Sequence, residues 1–269
     1  KKTIRKDTVL ISIMHANNET GVIQPVEEIA KIAHENNVIF HTDAVQTVGK
    51  LPIDIESLDA DLVSFSGHKF YGPKGIGALY IKNGVRFVPL IDGGAQERHM
   101  RAGTEYVAGI IGMAKALELA IERMDKETKK ESALRDKLEK GILAKIPDCQ
   151  INGNIEKRLP NTTNISIQYV EGEALLMYLS EEGICVSSGS ACSSSSLEPS
   201  HVLLAMGISH EIAHGSVRFS FGRMNTEEDV NTVLEKLPKI VERLRQFSPF
   251  GKNKEGFWDK GVPRDNHEH

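Results

Sequence analysis

The residues best suited to chemistry lie in the run Ser64-Phe65-Ser66-Gly67-His68-Lys69-Phe70-Tyr71-Gly72-Pro73-Lys74-Gly75. Lys69 follows a short apolar, strand-like stretch. Around it are hydroxyls, an imidazole and glycines that leave backbone N–H groups open to a phosphate. Upstream, Asp43 closes a second strand-like run, Val38-Ile39-Phe40-His41-Thr42-Asp43. A lysine amine that can bond an aldehyde and an aspartate that can face a pyridinium nitrogen are the two partners pyridoxal phosphate chemistry needs. The competing reading is a solvated lysine in a Gly-rich turn beside an unrelated strand-end aspartate.

A second centre lies downstream. The stretch Ser187-Ser188-Gly189-Ser190-Ala191-Cys192-Ser193-Ser194-Ser195-Ser196 is too rich in serine to bury much apolar surface, so an exposed loop is expected, with Cys192 accessible in its middle. Exposure and thiolate character make a cysteine reactive; otherwise this is a linker with an incidental cysteine. Cys185, in strand-like Gly183-Ile184-Cys185-Val186, and Cys149 read as structural. Arg218 falls among the alternating apolar positions of Ser216-Val217-Arg218-Phe219-Ser220. A buried arginine needs an anion, either a bound carboxylate gripped by its two-pronged head or an acid of the chain itself.

Bulk properties narrow the class. A length of 269 residues with 40% hydrophobic and 26% charged content suits a globular protein with room for two cores. A net charge of −4 gives no electrostatic case for nucleic acid as a partner. No apolar run approaches the roughly 20 residues that span a bilayer, and no secretory leader is expected from an opening of Lys1-Lys2-Thr3. Three cysteines without CxxC spacing argue against a disulfide scaffold or a metal knuckle and fit a reducing cytoplasm. With no Met and no entry element before residue 8, the chain reads as the later part of a longer protein.

These residues need elements to position them. Strands are expected at 8–14, 38–41, 62–65 and 77–81, with an amphipathic helix at 25–36 whose Val26, Ile29, Ile32 and Ala33 share a face. This alternation implies βαβ units and a mainly parallel sheet. In such a sheet ligands sit beyond the carboxyl ends of the strands, where Asn17, Asn18, Asp43, Gln46 and Lys69 can converge. A long helix is expected over 106–144, its charged stretch 122–130 solvated. Beyond it come strands at 164–169 and 216–220 and helices at 173–182 and 226–246, forming a smaller α+β domain. The expected division is 1–125, 126–247 and a polar tail, 248–269, either frayed or docking on a partner.

Taken together, the segments His15-Ala16-Asn17-Asn18-Glu19-Thr20-Gly21, His41-Thr42-Asp43-Ala44-Val45-Gln46, Ser64–Lys69, Arg101-Ala102-Gly103-Thr104, Ser187–Cys192 and Val217-Arg218-Phe219-Ser220 resemble the cysteine desulfurases of the NifS and IscS group, within the class V aminotransferases. The resemblance runs from about residue 8 to about residue 247 and implies an α/β, aminotransferase-like fold type I and a homodimer. It also implies that part of the large domain, with a phosphate-binding turn and a ring-stacking group, precedes these residues.

Under the same resemblance Lys69 would hold pyridoxal 5′-phosphate covalently, Asp43 would pair with the pyridine nitrogen and Gln46 with the ring hydroxyl. Ser66, His68 and a Thr104 from the neighbouring subunit would bind the phosphate. Asn18 and Arg218 would take the carboxylate of L-cysteine, Lys69 or His68 would move its α-proton, and Cys192 would accept its sulfur. Alanine would leave, and an iron–sulfur scaffold protein would collect the persulfide sulfur. No metal is expected. A selenocysteine lyase-like enzyme, a kynureninase-like enzyme or a non-catalytic sulfur relay are the alternatives.

Overall fold

The computed structural model describes residues 1–86, 88–188 and 198–248. Cys192, most of the serine-rich stretch and the tail beyond Ser248 lie outside the described residues. The chain forms two compact units, residues 1–129 with 156–160, and residues 130–155 with those from 161 onward. The division expected at 125/126 falls inside one helix, α4, described below.

Unit 1 is built on a four-stranded sheet. Strands β1 (Leu10–Met14), β2 (Ile39–Asp43), β3 (Leu62–Ser66) and β4 (Gly77–Ile81) lie in that order. The first three are parallel and β4 is antiparallel to β3. Parallel neighbours need a crossover, and helix α1 (Val26–Glu35) supplies the one between β1 and β2. Pro25 precedes its first turn, and Val26, Ala30 and Ala33 recur on its buried face. They pack with Phe40, Val63 and Leu58, the last from the short α2 (Ile55–Leu58). Phe40, Ala30 and Ala33 have no accessible surface.

Strand alternation decides which chemistry faces which way. In β2, Phe40 and Thr42 point into this core. His41 and Asp43 therefore share the opposite face, in register with Ser12 and Met14 of β1 and with Leu62 and Ser64 of β3. That face carries Ser12, His41, Asp43 and Ser64.

After β4 an irregular segment runs through a short turn, α3 (Gln96–His99), to the long helix α4 (Val107–Lys145). Glu97, Arg98 and His99 all have left-handed backbone, with φ of 47°, 57° and 65°. The segment is rich in exposed apolar side chains: Val88, Leu90, Ile91 and Met100, followed by Tyr106, Val107 and Ile111 at the start of α4.

Unit 2 is an antiparallel sheet, β5 (Cys149–Ile151), β6 (Thr162–Ile167) and β7 (Ser216–Ser220), in that order. Helices α5 (Gly172–Glu181) and α8 (Glu227–Phe247) and the second part of α4 share its core, centred on Leu138, Ile165, Ile167, Leu175, Val217 and Leu237. Two short helices, α6 (His201–Ala205) and α7 (His210–His214), complete it. A reciprocal cap between Thr226 and Asp229 starts α8, leaving no doubt where the helix begins. No helix of the described residues is long and apolar enough to cross a membrane.

The strand expected at 183–186 is absent. Gly183, at φ +77°, ends α5, and the Ile184 N–H turns back to the Leu179 carbonyl 2.9 Å away, as in a helix C-terminal stop. Cys185 is consequently exposed, not buried in a strand, and lies on the rim of a cavity of about 330 Å³ with Glu182, Phe221 and Asp229. Cys149 is half-buried, its thiol donates to the Ile146 carbonyl at 3.0 Å, and burial pushes its pKa up.

Candidate active site

The candidate residues of unit 1 gather at the carboxyl edge of the parallel strands. Asp43 is the last residue of β2 and half-buried; its Oδ1 accepts the Val45 N–H at 2.8 Å. That bond fixes the carboxylate at the turn beyond the strand, which holds Gln46, also half-buried. Ser66 is the last residue of β3. The chain then makes a 3₁₀ turn, Gly67–Phe70, that carries His68 and Lys69. Ser66 Oγ and His68 Nδ1 share a hydrogen bond of 2.7 Å. His68 is exposed and Lys69 half-buried.

Backbone contacts make this turn tight. Tyr71, in the left-handed region at φ 67°, caps it, and both Tyr71 and Gly72 donate their N–H to the Gly67 carbonyl. Gly67 itself donates to the Ile76 carbonyl at 3.0 Å. The position of Lys69 is thus set by main-chain bonds on both sides.

The two asparagines after β1 divide their work. Asn17 Oδ1 accepts the N–H groups of Glu19 and Thr20, each at 2.9 Å, and the Thr20 hydroxyl at 3.2 Å. Asn17 is a turn-former whose oxygen is fully used within its own loop. Asn18 is half-buried on the same loop, which is pinned by pairing of Ala16 with Ile23 and of Val22 with Arg158.

Thr104 is exposed in the segment between α3 and α4, where Gly103 donates its N–H to Gln96 Oε1. Arg218 belongs to unit 2, half-buried in β7 opposite Asn164 of β6. On its other side it exchanges both backbone hydrogen bonds with Ser187, at 2.7 and 3.2 Å. Cys192 lies outside the described residues. The structure thus brings Asn18, Asp43, Gln46, Ser66, His68 and Lys69 to one edge of one sheet. Among the described residues, no three of His, Cys, Asp and Glu are grouped to hold a metal ion.

Sequence reasoning left two histidine groupings unassigned. The His15 ring meets the Thr47 hydroxyl at 3.1 Å, and that hydroxyl also donates to the Ala44 carbonyl. On the polar sheet face, His41 lies between two serines, with Ser12 Oγ 2.7 Å from Nδ1 and Ser64 Oγ 3.0 Å from Nε2. Burial lowers the pKa of both histidines, opposed for His15 by Glu27 and for His41 by Asp43. The signal available in the sequence was the His-x-Asp spacing, which puts His41 on the face of Asp43 once residues 39–43 are a strand.

The residues fit pyridoxal phosphate. A carboxylate, a lysine amine and a hydroxyl–imidazole pair stand at adjacent strand ends, and the edge is open enough for His68 to be exposed. The aminotransferase class-V family model matches residues 1–233. A cysteine desulfurase from a Nostoc species is 57% identical over 252 residues, covering 94% of this chain and 63% of the relative. The cysteine desulfurase IscS of Dictyoglomus turgidum is 57% identical over 250 residues, covering 93% of the chain and 64% of the relative. A solved NifS-like protein superposes with a TM-score of 0.82 at 44% identity, over 90% of this chain and 64% of that one. The chain therefore spans less than two thirds of the length of these relatives. It belongs to the aminotransferase class-V family, and the likeness to the NifS and IscS group drawn from its motifs is borne out.

Proposed function

We propose that this member of the aminotransferase class-V family works as a pyridoxal 5′-phosphate-dependent cysteine desulfurase, taking sulfur from L-cysteine and releasing L-alanine. The observation that carries the reading is the meeting of Asp43, the Ser66–His68 pair and Lys69 at the carboxyl edge of β2 and β3. Lys69 would hold the cofactor, Asp43 its pyridine nitrogen, Gln46 its ring hydroxyl, and Ser66 and His68 its phosphate. The bound cofactor supplies an electron-withdrawing ring that makes bonds at an amino acid's α and β carbons breakable.

The chain's own groups do the rest. Asn18 and Arg218 orient the substrate carboxylate, and the guanidinium can grip it with two parallel hydrogen bonds. With cofactor and substrate bound, the Lys69 amine or the His68 imidazole beside it would serve as the base that moves the α-proton. The Cys192 thiolate attacks the substrate sulfur: an S–S bond forms, the substrate Cβ–S bond breaks, and a proton completes alanine.

Residues 1–125 form the cofactor-binding part of this reading and 126–247 the smaller domain. The apolar side chains around Leu90, Met100 and Ile111, beside Thr104, support a homodimer in which Thr104 completes the partner's phosphate site. An iron–sulfur scaffold protein in the cytoplasm is the proposed sulfur acceptor.

Borohydride reduction and peptide mapping test the first half: a pyridoxyl group is expected on Lys69 and is lost in Lys69→Ala. Trapping with an alkylating agent after L-cysteine tests the second: a persulfide is expected on Cys192, absent in Cys192→Ser. A pyridoxyl group on another lysine, or alanine formed with no sulfur on Cys192, overturns the proposal.

A further inference from the structure

His41 stands two residues before Asp43 on the same strand face, the spacing from which an imidazole can turn toward a carboxylate and pair with it. It does not do so. Its Nδ1 is 2.7 Å from Ser12 Oγ on β1 and its Nε2 is 3.0 Å from Ser64 Oγ on β3, so one ring spans three adjacent strands. Ser64 is also the cross-strand neighbour of Asp43. The other residues on this face of the three strands are Leu10, Met14, Ile39, Leu62 and Ser66, none of them charged. Among the described residues of these three strands Asp43 is thus the one carboxylate on this face, and its Oδ1 accepts the Val45 backbone N–H.

We propose that the Ser12 and Ser64 hydroxyls clamp His41 away from Asp43, and that this clamp is a positioning device which reserves the Asp43 carboxylate for the pyridine nitrogen of the cofactor. The proposal rests on the cofactor reading above. An imidazole engaged at both ring nitrogens has no N–H left for Asp43, whereas a freed and protonated one is a cation whose charge the Asp43 carboxylate attracts. Such a pair competes directly with the pyridinium for the same anion. Burial acts in the same direction by lowering the His41 pKa, against the pull of the Asp43 charge. The sequence alone gives His41 no role; its role comes from register, which brings one serine to each of its nitrogens.

The test is the double variant Ser12→Ala/Ser64→Ala, with and without His41→Gln. Ser12 is exposed and Ser64 half-buried, so losing two hydroxyls leaves the core of the sheet intact. Two readouts are taken. NMR titration of the His41 ring in unloaded protein is expected to give a higher pKa in the double variant than in wild type. Titration with pyridoxal 5′-phosphate near pH 6, followed by absorbance, is expected to show affinity about tenfold weaker in the double variant. Adding His41→Gln is expected to restore it to within about twofold, because an amide carries no charge and cannot form the competing ion pair.

An unchanged His41 pKa in the double variant overturns the clamp, whatever the cofactor does. Weakened affinity that His41→Gln does not rescue also overturns it, since the serines would then act on the cofactor directly. Wild-type protein that takes up no pyridoxal phosphate, while the NMR shift appears as expected, sinks the cofactor reading and leaves the serine clamp standing.

Discussion

Gly72→Ala probes how the lysine turn is held. An added Cβ at Gly72 would stand 2.8 Å from the Gly67 carbonyl oxygen, 3.2 Å from its carbonyl carbon and 3.3 Å from Ala116 Cβ. A relaxed carbon–oxygen contact needs about 3.3 Å or more, so backbone must move by roughly half an ångström. The atom displaced is the one that accepts the N–H of both Tyr71 and Gly72 and closes the turn around His68 and Lys69. Overpacking of this kind costs about 1–3 kcal/mol. A misplacement near 1 Å costs on the order of 100-fold in rate, so half of that should weaken cofactor uptake and turnover on the order of tenfold. Gly75→Ala is the control. Its Cβ meets nothing within 4 Å, but Gly75 has φ +78°, so alanine there costs about 1–2 kcal/mol in backbone strain without pushing on Gly67. Urea denaturation should show both variants destabilised, and titration with pyridoxal phosphate should show only Gly72→Ala impaired. Equal cofactor binding by the two variants, at equal losses of stability, would refute the steric argument.

Three other substitutions or conditions follow from the same geometry. Phe40→Ala removes a side chain with no accessible surface from the centre of the unit 1 core and should cost about 3–5 kcal/mol, read as a lowered urea midpoint. Thr42→Val should be neutral or stabilising by up to about 1 kcal/mol, because the Thr42 hydroxyl is buried with no hydrogen-bond partner among the described residues; a clear loss of stability would reveal a partner. Acid should destabilise the fold through His15 and His41. Both have native pKa values held below 6.5 by burial, so the unfolded chain takes protons first as pH falls past about 6.5, and stability present above that value is lost toward the depressed native values. His15→Gln should reduce the pH slope of the urea midpoint in that window, and an unaltered slope would remove His15 from the account.

Much of this architecture was legible because local signals agreed. The expected helix at 106–144 is α4, Val107–Lys145, and the one at 226–246 is α8, Glu227–Phe247. Long runs of helix-forming residues, and for α8 the Thr-x-x-Asp cap, make such elements hard to misplace. The strand-like run expected to close at Asp43 is β2, Ile39–Asp43, so the proposed pyridine partner ends the strand itself. What failed was Cys185, because an apolar Ile-Cys-Val triplet reads as a strand whenever the turn before it is ignored; Gly183 and the Ile184 N–H bond to Leu179 spend those residues on stopping α5. Only the family resemblance singled out Asn18 over Asn17; the residues alone do not, since which one forms the turn depends on where Glu19 and Thr20 point their N–H groups. The His41 clamp was hidden for a further reason: it joins residues 12, 41 and 64, which meet only through strand register.

Register also ties the chemistry of unit 1 to its core. Along β2, Phe40 and Thr42 are buried while His41 and Asp43 face the other way. A slip of one residue against β1 and β3 would swap the two sets. Phe40 would give up burial worth roughly 1.5–3 kcal/mol, and the Asp43 carboxylate would enter a core of Ala30, Ala33 and Val63, where an unpaired charge costs far more. Both penalties oppose the same error, so the residues that make the core also hold Asp43 on the face it shares with Ser64 and Ser66. An apolar substitution in the α1–β2 contact that loosens this register should therefore disturb cofactor uptake without touching any residue of the candidate site.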